Sequence, residues 1–173
     1  MATFYSDQLS TGLSASAPAL LSGAKAGTRA HISYHRAEIV FPTTAAAADV
    51  FAMLPLRSGA RLLELHIADS VTATALVKDI GLYKLDPVSG ALGVVLDADL
   101  FGTVVGSSAT RTEVFQEAAT GLVQGRGRGR RLWELMGLAT DPLELWAICA
   151  TLTTVTALTA VTAVIAEAYV IDN

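Results

Sequence analysis

The chain has 173 residues, of which 52% are apolar and 16% charged, and a formal net charge of -4. That length carries one well-buried domain and excludes two ordinary ones, and the acidic balance excludes a general attraction to nucleic acid. So high an apolar fraction exceeds what a solvated monomer uses, which predicts a surface covered by further copies or by other proteins.

Residues 1 to 28, MATFYSDQLSTGLSASAPALLSGAKAGT, are rich in Ser, Ala, Gly and Thr and keep no sustained period. They read as an extended N-terminal arm, with 29 to 173 as the folded domain. Phe4, Tyr5, Leu9 and Leu13 make this arm too apolar for a spacer and fit it to dock on a neighbour. It lacks a basic segment followed by an apolar run, so no secretory signal is expected.

The stretch RAHISYHRAEIVF, 29 to 41, predicts a first strand that Pro42 ends, since proline cannot donate to a ladder. After an alanine run at 45 to 48, Val50 to Leu54 reads as a short strand that leads into Pro55 and ends in the turn Arg57-Ser58-Gly59. Residues 60 to 85 then read as a central meander of two strands joined by a short turn. In the first, Leu63, Leu65 and Ile67 alternate with Glu64, His66 and Ala68. In the second, Leu76, Ile80 and Leu82 share a face with Lys78, which is therefore expected near an edge with its stem turned outward.

Asp86-Pro87-Val88-Ser89-Gly90 predicts a turn, and LGVVLDADLFG the start of the next strand. From 102 to 129 the pattern lapses into an expected flexible insertion, with 111 to 119 open between a short strand and a helical turn, which closes on the arginines 126, 128, 130 and 131. Order resumes at RLWELMGLATDP, followed by LELWAICATLT and a last strand, AVIAEAYVI. The run from Leu143 to Ile171 is long and almost uncharged, but six threonines between 151 and 162 favour two strands over a membrane helix. About eight strands result, enough for an all-β sandwich of two sheets with jelly-roll connections.

Catalytic chemistry finds no support in these residues. His31 and His35 stand about 13 Å apart on one side of a strand, too far to share a metal. Asp97 and Asp99 lack the further ligands of a calcium loop, and neither a nucleophile elbow nor a phosphate cradle is present. No enzyme, cofactor or metal is expected. Cys149, the one cysteine, lies in LWAICATL and reads as core. Tyr34, Trp133 and Trp146 fit core or interface anchors. Arg126, Arg128, Arg130 and Arg131 on a glycine-rich backbone suit bidentate contacts to a partner's carboxylates.

Several segments resemble small structural proteins of tailed-bacteriophage virions, of the capsid cement or decoration type. They are MATFYSDQLSTGL, MLPLRSGARLLELHIADS, VKDIGLYKLD, RLWELMGLATDPLELWAICATLT and AEAYVIDN. The resemblance spans most of the chain outside 86 to 128, and the RGRGRR run departs from it. It implies a β-sandwich or jelly roll, built into the virion at the capsid surface after assembly in the host cytoplasm. The major capsid protein is the implied partner, the implied state is a homotrimer, and neither nucleic acid nor membrane is a partner. A head-tail connector or tail-associated protein is the alternative within that class. A carbohydrate-binding module is the alternative outside it, and requires surface-clustered aromatics.

Overall fold

Period-two alternation becomes strands throughout the computed structural model, which describes residues 3–5, 31–69, 76–106, 111–114, 129–155 and 162–172. In chain order these are β1 (Thr3–Tyr5), β2 (His31–Phe41), β3 (Val50–Arg57), β4 (Arg61–Asp69), β5 (Leu76–Leu85), β6 (Leu92–Gly106) and β7 (Arg111–Glu113). A short helix α1 (Leu132–Leu135) precedes β8 (Leu145–Val155) and β9 (Thr162–Asp172). Two sheets form, one of five strands ordered β1-β3-β8-β5-β6 and one of four ordered β2-β9-β4-β7. The all-β, two-sheet sandwich expected from the sequence is the observed architecture.

The pairings follow one plan. β2 pairs with β9, β3 with β8, β4 with β7 and β5 with β6, all antiparallel, so β2 to β5 run back along β6 to β9 like one long hairpin. Rolling that hairpin adds the β4–β9 and β5–β8 contacts and divides the strands between the sheets. This is the connectivity of a jelly roll. β1 is the addition, lying parallel to β3 at the rim.

The main core fills the gap between the sheets. Phe41 and Phe51 meet with ring centroids 3.9 Å apart, and Leu54, Leu65, Ile67, Leu82, Phe101, Trp146, Ile148 and Leu152 surround them, all essentially inaccessible. A second apolar cluster, Val50, Ala52, Tyr83, Leu85, Leu145, Ala147 and Cys149, alternates with core residues along β3, β5 and β8 and so occupies the opposite face of the five-stranded sheet. β6 folds over β5 at Gly81. Ile80 lies opposite Gly102 and Leu82 opposite Asp97, so Ala98 to Phe101 bow out of register. Any Cβ on Gly81 would collide with the backbone of Asp97 and Ala98, which is why a glycine stands there.

Two expectations are corrected. β4 and β5 are not a meander, because they belong to different sheets. β3 runs through Pro55 to the turn at Ser58 and Gly59; Pro55 lies opposite Ala147, beyond the three β3 residues that β1 covers, so its missing N–H faces an unpaired edge among the described residues. β6 runs on through Gly106, and Arg111 to Glu113 form β7, within the stretch left open between a short strand and a helical turn.

Lys78 is the second. β5 lies between β8 and β6, so its core-facing side chains have no edge to escape by, and Lys78 is 0% exposed. Its Nζ donates to both carboxylate oxygens of Asp69, at 2.9 and 2.7 Å, and Asp69 is itself buried at the end of β4. Burial lowers the pKa of Lys78, and the Asp69 charge and hydrogen bond oppose that shift. An ammonium in such a place requires its carboxylate. The pair therefore ties one sheet to the other where the chain crosses between them.

Candidate interaction surfaces

Of the arm and arginine residues, Phe4 and Tyr5 stand at one end of the roll and Arg131 at the other. Phe4 and Tyr5 lie in β1, opposite Phe51 and Ala52 near the start of β3. Arg131 bridges to Arg61, just past the end of β3, which at roughly 3.3 Å per residue lies about 20 Å away. Arg130 is exposed and Arg131 half-buried. Leu9, Leu13, Arg126 and Arg128 lie outside the described residues.

The backbone around Arg131 is firmly laced to the turn between β3 and β4. Leu132 N–H donates to Ala60 O at 2.9 Å, Trp133 N–H to Ser58 O at 3.0 Å and Gly129 N–H to Leu62 O at 3.3 Å. Arg131 N–H donates to Glu134 Oε2 at 2.8 Å, capping α1, while Leu132 plugs into the core. The arginine run thus leaves a fixed point.

Beside it stands a surface that the sequence reading passed over. Ser58, fully buried, donates from Oγ to Asp141 Oδ1 at 2.5 Å and accepts from Glu144 N–H at 3.1 Å. Asp141 Oδ1 also accepts from Leu143 N–H at 2.9 Å. A side chain on Gly59 would press on Asp141, so the glycine admits this packing. Glu144 accepts from Lys84 Nζ at 2.7 Å and from the Trp146 indole at 3.0 Å, and these two bonds hold its carboxyl below the usual range. The braced loop carries Leu143 in the left-handed region, φ 57°, with its side chain 88% exposed. Val88, on the β5–β6 turn at the same end of the roll, is 89% exposed, and Asp86 pins that turn by accepting from Val88 and Ser89 N–H. The signals were present in the sequence as Asp-Pro turns, but the leucine and valine they project were not singled out.

The third surface is the outer face of the four-stranded sheet. Tyr34, expected as a core or interface anchor, is 50% exposed there. Its ring lies 5.3 Å from that of Tyr169, and its hydroxyl donates to Glu167 Oε1 at 2.6 Å, a bond that raises the tyrosine pKa. Trp146 is fully buried and Trp133 half-buried against the core. The Cys149 thiol is buried, and burial pushes its pKa well up, so it is held protonated and unreactive. Asp97 and Asp99 stand where β6 bows outward, with the Asp97 carboxyl raised by burial and by its bond to Asp99. No group of three metal-ligating side chains and no helix long and apolar enough to cross a membrane occurs among the described residues.

No family model and no curated protein matches the chain. Among solved structures it is similar to a chain of the cyanophage Pam1 capsid asymmetric unit, at 12% identity over 87% of this chain and 91% of that one, with a TM-score of 0.47. It is also similar to a chain of the capsid of Helicobacter pylori bacteriophage KHP30, at 10% identity over 82% and 93%, with a TM-score of 0.40. A chain in the capsid of Ralstonia phage GP4 matches end to end, covering 99% of each chain at 14% identity with a TM-score of 0.57, and this jelly roll therefore shares the fold of a phage-capsid chain over its whole length.

Proposed function

We propose that this protein cements or decorates the capsid of a tailed bacteriophage by non-covalent binding to the major capsid protein, as a homotrimer on the shell surface. The observation that carries the reading is the full-length likeness to a chain of the Ralstonia phage GP4 capsid. The contact geometry supports it. β1 and Arg131 stand at opposite ends of the roll, which suits a clamp that reaches two neighbours at once. A lasting contact of this kind buries on the order of 800 Å² per partner, and repetition over an icosahedral shell multiplies a modest affinity. The arginines supply the salt-sensitive share, through carboxylates on the shell protein.

The test is co-sedimentation of the purified protein with expanded capsids, in wild type and in a variant with Arg126, Arg128, Arg130 and Arg131 all changed to Ala. Wild-type binding should weaken as salt rises, and the variant should bind less at low salt and lose most of that dependence. A wild type that fails to pellet with capsids at any salt overturns the reading. Copy number in purified virions separates shell from neck: a number commensurate with the major capsid protein supports the shell, and a number suited to one vertex supports a connector.

A further inference from the structure

One leucine of the chain stands where a leucine lowers stability. Leu143 has φ 57°, in the left-handed region that side chains disfavour, and with 88% of the residue exposed almost no packing within the chain offsets that strain. Asparagine or glycine suits such a backbone better. A strained residue that does so little for its own fold points to a task outside it.

The turn that carries Leu143 is fixed in advance. Asp141 Oδ1 accepts from Leu143 N–H at 2.9 Å and from Ser58 Oγ, and Glu144 N–H donates to Ser58 Oγ at 3.1 Å, so both neighbours of the leucine are tied to the β3–β4 turn. A partner that takes the leucine loses little entropy in ordering it. Leu145 pairs with Arg57 on β3 and with Leu85 on β5. The end of the five-stranded sheet therefore presents Arg57, Leu143 and Val88 from three neighbouring strands in that order, and all three are exposed.

Charge at this end is one-sided. The carboxylates are engaged within the chain: Asp86 by Val88 and Ser89 N–H, Asp141 by Ser58 and Leu143, Glu144 by Lys84 and Trp146, and Glu134 by Arg131 N–H. Arg57 and Arg130 are exposed and make no ion pair among the described residues. Arg130 belongs to this end because Leu132, two residues on, donates its N–H to Ala60 O in the β3–β4 turn. An apolar tip between open guanidiniums complements an apolar pocket with carboxylates at its rim.

We infer that Leu143 anchors the contact with the major capsid protein, seating with Val88 in an apolar pocket of that protein whose rim carboxylates meet Arg57 and Arg130. This rests on the shell reading above and names the residue at the centre of that contact. A few side chains buried at the centre of an interface carry most of its affinity, while the charges around them add steering and salt dependence.

The experiment is co-sedimentation with expanded capsids for wild type, Leu143→Asn, Leu143→Met and Arg57→Glu, with urea unfolding and sedimentation mass measured on each protein alone. Leu143→Asn should be at least as stable as wild type, since asparagine tolerates the left-handed backbone, and should bind capsids at least tenfold more weakly. Leu143→Met keeps an apolar tip and should bind several-fold more tightly than the asparagine variant. Arg57→Glu should weaken binding at low salt and change it little at high salt. If wild type pellets and Leu143→Asn binds equally well, this inference is overturned and the shell reading stands. If wild type does not pellet, the shell reading falls and takes this inference with it. A Leu143→Asn variant that loses stability gives the leucine a structural task, and one whose mass alone departs from that of wild type places the tip between copies of the chain; either result overturns the inference.

Discussion

The two sheets of the roll differ in how they meet their surroundings. The five-stranded sheet is sealed on both faces along β3, β8 and β5, with Trp146, Ile148 and Ala150 on one side and Leu145, Ala147 and Cys149 on the other. The four-stranded sheet is sealed on one face, and its other carries Tyr34, Arg36, Glu38 and Glu167. Part of the apolar excess of the composition is therefore consumed inside the chain, by a layer with two dry faces. The surface available to neighbours is more polar and more specific than the composition suggests. In the first sheet, side chains on both faces maintain the fold. In the second, the outward row is spared that task.

The largest effect tests what joins the sheets. Changing Asp69 to Ala strands the Lys78 ammonium in the core and should cost about 3 to 5 kcal/mol in urea unfolding. Replacing the pair together, Asp69→Leu with Lys78→Met, should recover most of that loss. If the single variant proves as stable as wild type, the pair does not tie the sheets. A second measurement sets the faces against each other. Tyr83, 4% exposed on the outer side of the five-stranded sheet and bonded to Thr151 Oγ1 at 2.8 Å, should cost about 3 kcal/mol on truncation to Ala. Tyr34→Ala, on the outer side of the four-stranded sheet, should stay within about 1 kcal/mol. Equal losses would erase the contrast.

The smallest effect is one of pH. The Glu144 carboxyl is held below its ordinary value by Lys84 and then by Trp146, so the folded state binds its proton less readily than the unfolded chain. That contribution is complete above the unfolded pKa and fades as pH falls through the folded one. Glu144→Gln should therefore lower stability slightly at neutral pH and converge with wild type as pH falls below the ordinary glutamate range, which flattens the acid side of the stability curve. An unchanged acid slope would show that the brace beneath Leu143 does not depend on that charge.

The fold class was legible because alternation, turn residues and the uncharged run of β8 are local signals. Pro42 and Asp86-Pro87 mark boundaries that the structure keeps. Which sheet a strand joins is not local. The pattern of β4 and β5 is the same whether the link between them turns back or crosses the roll, so the meander was a fair reading and a wrong one. Lys78 misled because a charge next to apolar neighbours is read as exposed when its partner goes unnoticed. Asp69 stands nine residues earlier, and the pairing is visible only once the crossing is known. The arginines and the arm were named from composition alone. The braced Leu143 required geometry.

The rolled-hairpin plan also constrains how the molecule is made. β9 lies between β2 and β4, so the middle of the four-stranded sheet is a strand that leaves the ribosome after every other described one. A nascent chain carries β2 and β4 without the strand that joins them, and its closing contacts span most of the sequence, which makes folding slow. A translation product that stops short of β9 cannot complete the roll.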